Sequence, residues 1–487
     1  MVKQIFPNAT QHLIGGEWQD GAGDKEITIV DPATGKTLET MREASIDQVD
    51  AAVAAAAKAL PEWSSWSINR RADLLLKVRS KIEANIDDLA MVLSIDNGKT
   101  IPEAKGEITR ACEAIANAAS APMIYHSEAG NIAPGLDARR NRYPIGVCVA
   151  VTPFNFAVMN PSMFSAWSLV CGNTLVIKPS EQTPMASNFL VSLFKEAGVP
   201  DGVLNIVHGF AEVGQRLVAS PEVAGISCIT STPVARAIYE TGTAQGKRVQ
   251  ANGGGKNPYV VLSDADIDRA ADGISDAAFG MAGQRCLAAS RCIVMEDVFD
   301  EFVEKITERG KAFVLGDGRN PKATMGPLIN AKSRDRVAKA IEDAAEAGAT
   351  VVLDGRDHPV EGDDTAEGFF VGPTVITGLS HKHPVDAQET FGPFLVIHKV
   401  SSLEEALEIA NDTEFGNAAA VYTSSGKTAQ EFELGCNSGN IGINTFPAPP
   451  MNFTMGGMGT SFFGDIHVCG DGAMHFYTDH KVVVTRW

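Results

Sequence analysis

The stretch FGMAGQRCLAAS, residues 279–290, holds the side chain with the clearest chemical potential, Cys286. The cysteine follows a glycine-led turn and a basic residue, Arg285. A cysteine attacks as its thiolate, and a free thiol has a pKa of about 8.5, so a catalytic cysteine needs help from its surroundings. The adjacent guanidinium or backbone dipoles could give that help. The alternative is an inert cysteine packed in a core, as is common for this residue type.

Four further stretches combine amide, lysine, carboxylate and glycine residues: TPFNF (152–156), VIKPSEQTP (176–184), GGGKNP (253–258) and QETFGP (388–393). Two phosphate-binding patterns are excluded. Each GKT in the chain lacks the glycine that a P-loop needs five residues earlier, and the G-x-G-x-x-G dinucleotide fingerprint is absent. No cysteine or histidine spacing typical of zinc occurs, so we expect no metal.

The elements that must position these stretches change along the chain. The first 130 residues have a largely helical pattern, including a capping box of Ser45 and Gln48. From Tyr143, and again from about 258 to 444, short β-branched runs alternate with helical segments. Such alternation predicts parallel sheets, which bind ligands beyond the carboxyl ends of their strands. The tail strand VVVT is expected to pair with a distant hairpin or another subunit.

Length and composition predict a multidomain globular protein. The chain has 487 residues, 44% hydrophobic and 21% charged, which is more than one core usually fills. The net charge of −19 argues against nucleic acid as a partner. No apolar run reaches the ~18 residues of a membrane helix. The eight cysteines are scattered and no targeting segment is visible, so we expect a reduced, cytoplasmic location.

In this order, the five motifs TPFNF, VIKPSEQTP, GGGKNP, GQRC and QETFGP resemble the NAD(P)-dependent aldehyde dehydrogenase superfamily over essentially the whole chain. Within that superfamily the chain most resembles the CoA-acylating methylmalonate-semialdehyde dehydrogenases. Three features carry this: Arg285 before the cysteine, Asn252 where the superfamily usually has glutamate, and the tail from Ser461.

The resemblance implies an α/β fold of three parts. They are a Rossmann-like parallel-sheet cofactor domain (1–125 and 143–252), an α/β catalytic domain (253–445) and a small β oligomerisation domain (126–142 and 465–487). It also implies a homotetramer built as a dimer of dimers.

The resemblance also implies roles for the motif residues. Cys286 would be the nucleophile, and the Asn155 side-chain amide with the Cys286 backbone N–H would bind the oxyanion formed by its attack. Lys178 and Glu181 match positions at the adenosine ribose, where a carboxylate favours NAD over NADP. Further positions matched to the cofactor are Thr152, Phe154, Gln182, Ser231, Gly253 and, at the nicotinamide ribose, Glu389.

Removal of the acyl group from the cysteine distinguishes the possible reactions. Hydrolysis needs a general base, and the Asn252 amide takes no proton at neutral pH. We therefore expect coenzyme A as co-substrate, with Arg110 and Arg285 clamping a substrate carboxylate. A 3-oxoacid would then lose carbon dioxide. Malonate semialdehyde would yield acetyl-CoA, and methylmalonate semialdehyde propionyl-CoA.

Several alternatives stay open at this point. A hydrolytic NAD-dependent aldehyde dehydrogenase, giving a free acid, would keep its base elsewhere than at position 252. Asn155 could merely satisfy a loop, Arg110 could be a solvated helix residue, and Glu389 could be a surface acid before a turn. An inactive relative is disfavoured, because the cysteine, the amide, the lysine and the glutamate are retained together.

Overall fold

The computed structural model describes residues 2–125 and 127–487. In that part of the chain the α-helices are α1 (Val2–Ile5), α2 (Ile46–Ser65), α3 (Ile68–Ala84), α4 (Ile86–Asn97), α5 (Ile101–Ala119), α6 (Ala121–Ile124), α7 (Met159–Val170), α8 (Pro184–Glu196), α9 (Ala211–Ala219), α10 (Thr232–Thr243), α11 (Ile267–Phe279), α12 (Phe299–Lys311), α13 (Ala331–Glu346), α14 (Pro384–Ala387), α15 (Leu403–Asn411), α16 (Gly426–Gly435) and α17 (Gly470–Tyr477).

The β-strands in the same residues are β1 (His12–Ile14), β2 (Glu17–Gln19), β3 (Glu26–Val30), β4 (Thr37–Arg42), β5 (Glu128–Ala133), β6 (Leu136–Pro144), β7 (Val147–Val151), β8 (Thr174–Lys178), β9 (Leu204–Ile206), β10 (Val223–Ile229), β11 (Arg248–Asn252), β12 (Asn257–Val261), β13 (Ala289–Met295), β14 (Leu315–Gly316), β15 (Thr350–Leu353), β16 (Val360–Glu361), β17 (Thr374–Thr377), β18 (Phe394–Val400), β19 (Phe415–Gly416), β20 (Ala418–Tyr422), β21 (Asn440–Ile443), β22 (Met458–Gly459), β23 (Phe462–Phe463) and β24 (Thr478–Arg486).

A first sheet has the strand order β2-β1-β9-β8-β7-β10-β11-β23. Its five inner strands run parallel, and antiparallel strands close both edges. Helices cover both faces, so successive residues of one strand enter different cores. Leu175 and Ile177 pack with residues of α3, α5 and α8, whereas Val176 packs with residues of α2 and α9. Burial on both faces explains the continuous apolar runs in the sequence.

A second sheet has the order β15-β17-β18-β13-β12-β20-β21 and is parallel except for β15. Cys292 and Val294 face a core built with α11, α12 and α13, and Ile293 faces one built with α15 and α16. The predicted α/β class with parallel sheets is therefore confirmed.

A third sheet joins distant parts of the chain. Strand β24 pairs along its whole length with β6, and β5 pairs with the other edge of β6. The tail thus meets a distant hairpin, one of the two partners expected from the sequence. Within the segment 126–142, residue His126 lies outside the described residues. Helix α17 packs its Phe476 and Tyr477 into the core of the first sheet, so the predicted range 465–487 contains both core and ribbon residues.

The local elements follow their sequence signals. Ser45 caps α2 and forms the predicted capping box with Gln48. Thr100 and Glu103 form another at the start of α5. In the described residues, no helix combines the length and the hydrophobicity that crossing a bilayer requires.

Candidate active site

The motif stretches meet where the carboxyl ends of strands in the first sheet face the amino ends of strands in the second sheet. Thr152–Phe156 follows β7, Gly253 follows β11, and Cys286 precedes β13. Two cavities of about 570 and 850 Å³ adjoin here. Both are lined by Asn155, Ile229, Gly253 and Cys286. The cysteine therefore faces two compartments, which suits a nucleophile that must meet two different reactants.

Cys286 is fixed through its backbone. Its carbonyl oxygen accepts hydrogen bonds from the side-chain amides of Asn257, at 2.9 Å, and Asn417, at 2.8 Å. Burial, and then the nearby charge of Glu389, raise the pKa of the Cys286 thiol to about 11, against opposing hydrogen bonds that include the Asn417 side chain. At neutral pH the resting sulfur is therefore a thiol, and its proton must be lost during attack.

Asn155 lies against the chain that carries the cysteine. The residue is 4% exposed, and its Nδ2 donates to the carbonyl oxygen of Gln284 at 2.9 Å. An amide nitrogen carries two hydrogens, so one remains for a substrate oxygen. This geometry suits an oxyanion-binding amide better than a residue that merely satisfies its own loop.

The larger cavity gathers most of the residues matched to a dinucleotide, namely Thr152, Phe154, Lys178, Glu181, Ser231, Gly253 and Glu389. Lys178 Nζ donates to the Pro179 carbonyl at 2.8 Å and lies 3.6 Å from Glu181 Oε2. Glu389 Oε1 accepts the Gly255 N–H at 3.1 Å, and burial raises its pKa to about 7. Gln182 is not among the lining residues, because its side-chain oxygen accepts the Asn330 amide at 3.0 Å.

Two details of this cavity fit a nicotinamide dinucleotide. The Thr152 hydroxyl at its wall is buried and has no hydrogen-bond partner among residues 2–125 and 127–487. Helix α10 begins beside Ser231, whose side chain makes no capping hydrogen bond, so the backbone N–H groups of its first turn, other than at Pro233, remain available. The N-terminus of a helix favours phosphate groups.

The smaller cavity contains both predicted clamp residues. Arg110 binds Glu113 at 2.7 Å and the Pro449 carbonyl at 2.8 Å. Arg285 binds the Asp276 backbone oxygen, and its guanidinium lies 5.0 Å from the Phe446 ring centroid. Its charge is thus directed to Asp276, and Arg285 is not among the groups that shift the pKa of the Cys286 thiol. That this guanidinium favours the Cys286 thiolate stays a prediction.

Asn252 also lines the smaller cavity, beside Cys286. Its Nδ2 donates to the Cys228 carbonyl at 3.2 Å. The position that would need a proton acceptor for hydrolysis is therefore occupied by a neutral amide. Among the described residues, no group of three or more histidine, cysteine or acidic side chains is arranged to hold a metal ion.

Residues 18–483 match the profile of the aldehyde dehydrogenase family. The chain belongs to the aldehyde dehydrogenase family. It is 40% identical over 479 residues to malonate-semialdehyde dehydrogenase 1 of Oceanobacillus iheyensis, covering 98% of each chain. Methylmalonate-semialdehyde dehydrogenase DddC from Oceanimonas doudoroffii has a TM-score of 0.96 at 34% identity, covering 98% of both chains. PnpE in complex with nicotinamide adenine dinucleotide has a TM-score of 0.94 at 34% identity, also covering 98% of both chains.

Family membership, expected from five motifs, is thereby confirmed. Sequence reasoning nevertheless missed the residues of this aldehyde dehydrogenase that hold the reactive groups in place. Asn257 lies in the motif GGGKNP and Gln284 in GQRC, but neither motif indicates which hydrogen bonds these side chains form. Asn417, in the stretch EFGNAAA, gave no signal, because an isolated asparagine after a glycine is typical of any turn.

Proposed function

We propose that the chain oxidises malonate or methylmalonate semialdehyde to an acyl-CoA, with loss of carbon dioxide and reduction of NAD. The observation that carries this proposal is the lining of the smaller cavity. Cys286, Asn252, Arg110 and Arg285 share one space. The names of the similar proteins, malonate-semialdehyde and methylmalonate-semialdehyde dehydrogenase, support the substrate class.

In the first half of the proposed reaction, the Cys286 sulfur forms a bond to the aldehyde carbon and gives up its proton. The aldehyde oxygen becomes an oxyanion, which the Asn155 amide and the Cys286 N–H stabilise. The residues that line the larger cavity would hold NAD, which would supply a hydride acceptor for this carbon. The acyl group then remains on Cys286 as a thioester.

In the second half, the carbon–carbon bond to the substrate carboxylate breaks. Carbon dioxide leaves, and the electron pair remains as an enolate of the thioester, which takes up a proton on carbon. The thiol of coenzyme A then forms a bond to the acyl carbon as the Cys286 bond breaks, and its proton restores the Cys286 thiol. Because Asn252 cannot activate water, a thiol nucleophile outcompetes hydrolysis.

The arginines suit the carboxylate. Arg285 Nε is buried and has no hydrogen-bond partner in the part of the chain that the structure describes, so a carboxylate oxygen would satisfy an unpaired donor. Arg110 is one-third exposed and its guanidinium has further N–H groups beyond those bound to Glu113 and Pro449. Two guanidinium groups in one apolar-walled cavity select an aldehyde that carries a negative charge.

For the cofactor, the carboxylate of Glu181 supports NAD over NADP, because a ribose 2′-phosphate would be repelled. Glu389 and Lys178 would bind the two riboses, and the start of α10 the phosphates. The family includes a solved relative with bound NAD, which agrees with this assignment.

We also propose a division into three domains. The cofactor domain spans 1–125 and 143–252, the catalytic domain 253–445, and the oligomerisation domain 126–142 and 465–487. Among the described residues, one edge of strand β24 pairs with no other strand, and the strand exposes Val482 and Val484, which supports a homotetramer assembled through this ribbon. All eight cysteines are free, seven of them buried, which suits a reducing compartment and supports the cytoplasm as the location.

The decisive experiment follows NADH formation from malonate semialdehyde and NAD, with and without coenzyme A, and identifies the product. We expect a single-turnover burst without coenzyme A and steady formation of acetyl-CoA with it. Equal steady rates in both cases, with a free acid as product, would instead identify a hydrolytic aldehyde dehydrogenase. Replacing NAD with NADP in the same assay tests the cofactor preference.

A further inference from the structure

Helix α5 lines the smaller cavity with several residues, among them the charged side chains of Glu103, Glu107 and Arg110. Their spacing of four and three residues places them on one face of the helix. Arg110 was expected to meet substrate. The two glutamates were not assigned any role, yet both bind the backbone of loops that bear reactive groups.

We propose that the buried ion pair of Lys99 and Glu107 positions Asn155 for oxyanion binding, so that both are positioning residues of the reaction. The proposal rests on the role assigned to Asn155 above. Lys99 and Glu107 are each 3% exposed, and their charged groups are in direct contact.

The remaining hydrogen bonds of the pair end on the loop that contains Asn155. Lys99 Nζ donates to the Asn155 backbone carbonyl at 2.5 Å and lies 4.6 Å from the Phe156 ring centroid. Glu107 Oε1 accepts the backbone N–H groups of Val158, at 2.7 Å, and Met159, at 3.1 Å. The carboxylate therefore caps the first turn of α7, whose own N-cap residue, Val158, has no side chain able to do so.

A neighbouring residue supports the same loop from the preceding side. Asn97 Nδ2 donates to the Phe154 carbonyl at 2.9 Å. The turn is buried: the Ser94 hydroxyl donates to the Lys99 carbonyl at 2.6 Å. The backbone is thus held at Phe154, Asn155, Val158 and Met159, while the Asn155 side chain is held by the Gln284 carbonyl. The second hydrogen of the Asn155 side-chain amide is therefore held in one orientation.

A buried ion pair at this position indicates a role other than stability. Burying two charges brings little net stability compared with two apolar side chains of similar volume. A fully buried pair whose other bonds all reach one catalytic loop is better explained by the precision with which that loop must be held. An oxyanion donor works only if it is oriented before the charge develops.

The test compares two reactions of Cys286, of which only one forms an oxyanion. Attack on an activated ester, 4-nitrophenyl acetate, passes through an oxyanion, whereas displacement of iodide from iodoacetamide does not. The variants are Glu107→Gln and the double variant Lys99→Met/Glu107→Leu, in which an apolar pair replaces the ionic one. Lys105→Met, which removes an exposed lysine of the same helix, is the matched control.

We expect acylation by the ester to fall roughly 100-fold in the double variant, the lower end of the cost of losing one oxyanion donor. Alkylation by iodoacetamide should stay close to wild type. The thermal unfolding midpoint should fall, because the backbone groups of Asn155, Val158 and Met159 lose their partners, and both rates are therefore measured well below it. Asn155→Ala should give the same pattern, and adding it to the double variant should cause little further loss, because both changes remove one function.

Unchanged acylation in the double variant would overturn the proposal, and so would an equal loss in both reactions. Additive losses with Asn155→Ala would also contradict it. None of these readouts involves coenzyme A, NAD or a semialdehyde. The substrate proposed above can therefore be wrong without affecting this result, and the reverse also holds.

Discussion

The Asn155 amide nitrogen lies 2.9 Å from the carbonyl oxygen of Gln284, two residues before Cys286. One hydrogen bond thus joins the loop after β7, in the first sheet, to the chain that enters β13, in the second. The nucleophile and its proposed oxyanion donor are held in register across the junction of two sheets. Both reach the same cavities for this reason.

Replacing the nucleophile is the first test of the site. Cys286→Ala should lower NADH formation roughly 10³-fold or more, since no covalent thioester can form. The buried Cys436, which contacts Ser438, provides the control. Cys436→Ala should keep near-normal turnover. Substantial NADH formation by Cys286→Ala would remove the cysteine from the mechanism.

Restoring a carboxylate at position 252 should change the fate of the acyl group. Asn252→Glu is expected to raise release of free acid without coenzyme A by about 10²-fold, because general-base catalysis becomes possible. Asn252→Gln, which has the size but not the basicity, should leave that release unchanged. If both variants behave alike, the asparagine does not control hydrolysis.

Charge selection can be measured with two aldehydes. Arg110→Leu should lower kcat/KM for malonate semialdehyde about 10- to 100-fold, as expected for loss of a charge-assisted hydrogen bond, and affect propanal little. Glu113→Gln removes the carboxylate that binds Arg110 while keeping the arginine, and serves as the control. Equal losses for the two aldehydes would rule out the clamp.

The reactivity of the sulfur should depend on Glu389. Burial and the Glu389 charge raise the pKa of Cys286 to about 11, and Glu389 itself, with a pKa of about 7, is ionised at pH 8. Glu389→Gln removes one cause and should lower the pKa of the thiol. Alkylation by iodoacetamide at pH 8 should then be roughly three- to tenfold faster. Glu389→Asp keeps the charge, so its alkylation rate should change less. If wild type and both variants react at the same rate, the charge at position 389 does not influence the pKa of Cys286.

Acid should weaken the fold at a pair of histidines. Burial lowers the pKa of His12 to about 4 and holds that of His208 well below its usual range, and the backbone N–H of His208 donates to His12 Nδ1 at 3.0 Å. Neutral His12 therefore favours the fold above pH 6.5, and this advantage is lost as the pH falls from 6.5 toward 4, by about 3 kcal/mol in total.

Urea unfolding at pH 7.5 and 5.0 measures this effect. His12→Gln should be less stable than wild type at pH 7.5 but should lose less stability on acidification. His480→Gln, which changes a half-exposed histidine, should follow the wild-type pH dependence. Parallel curves for all three proteins would show that His12 does not titrate with unfolding.

The sequence predicted the reactive residues more fully than the residues that hold them in position. Cys286 and Asn155 lie in motifs whose residue types indicate a nucleophile and a hydrogen-bond donor. Lys99 and Glu107 lie among the charged residues of a helical pattern, and only the packing of α5 against α7 makes them a buried pair. Gln182 matched a family position, yet tertiary contacts direct it to Asn330.

The same limit applies to the fold. The region 68–93 reads as continuous helix, but Asn85 leaves helical geometry and separates α3 from α4. The hairpin of β1 and β2 went unpredicted in a region that reads as helical. Its signal was nevertheless present, because Gly15 and Gly16, both at positive φ, form the two-residue turn that joins short antiparallel strands.

The two large sheets differ in how their strands are spaced along the chain. All strands of the second lie between Asn257 and Ile443, whereas the first needs β23, at Phe462–Phe463, to cover β11. Contacts between distant segments form slowly, because a long loop must close first. The half of the molecule that is synthesised first is therefore the half completed last. Until β23 arrives, β11 offers a bare hydrogen-bonding edge, and the nascent protein is most exposed to misassociation there.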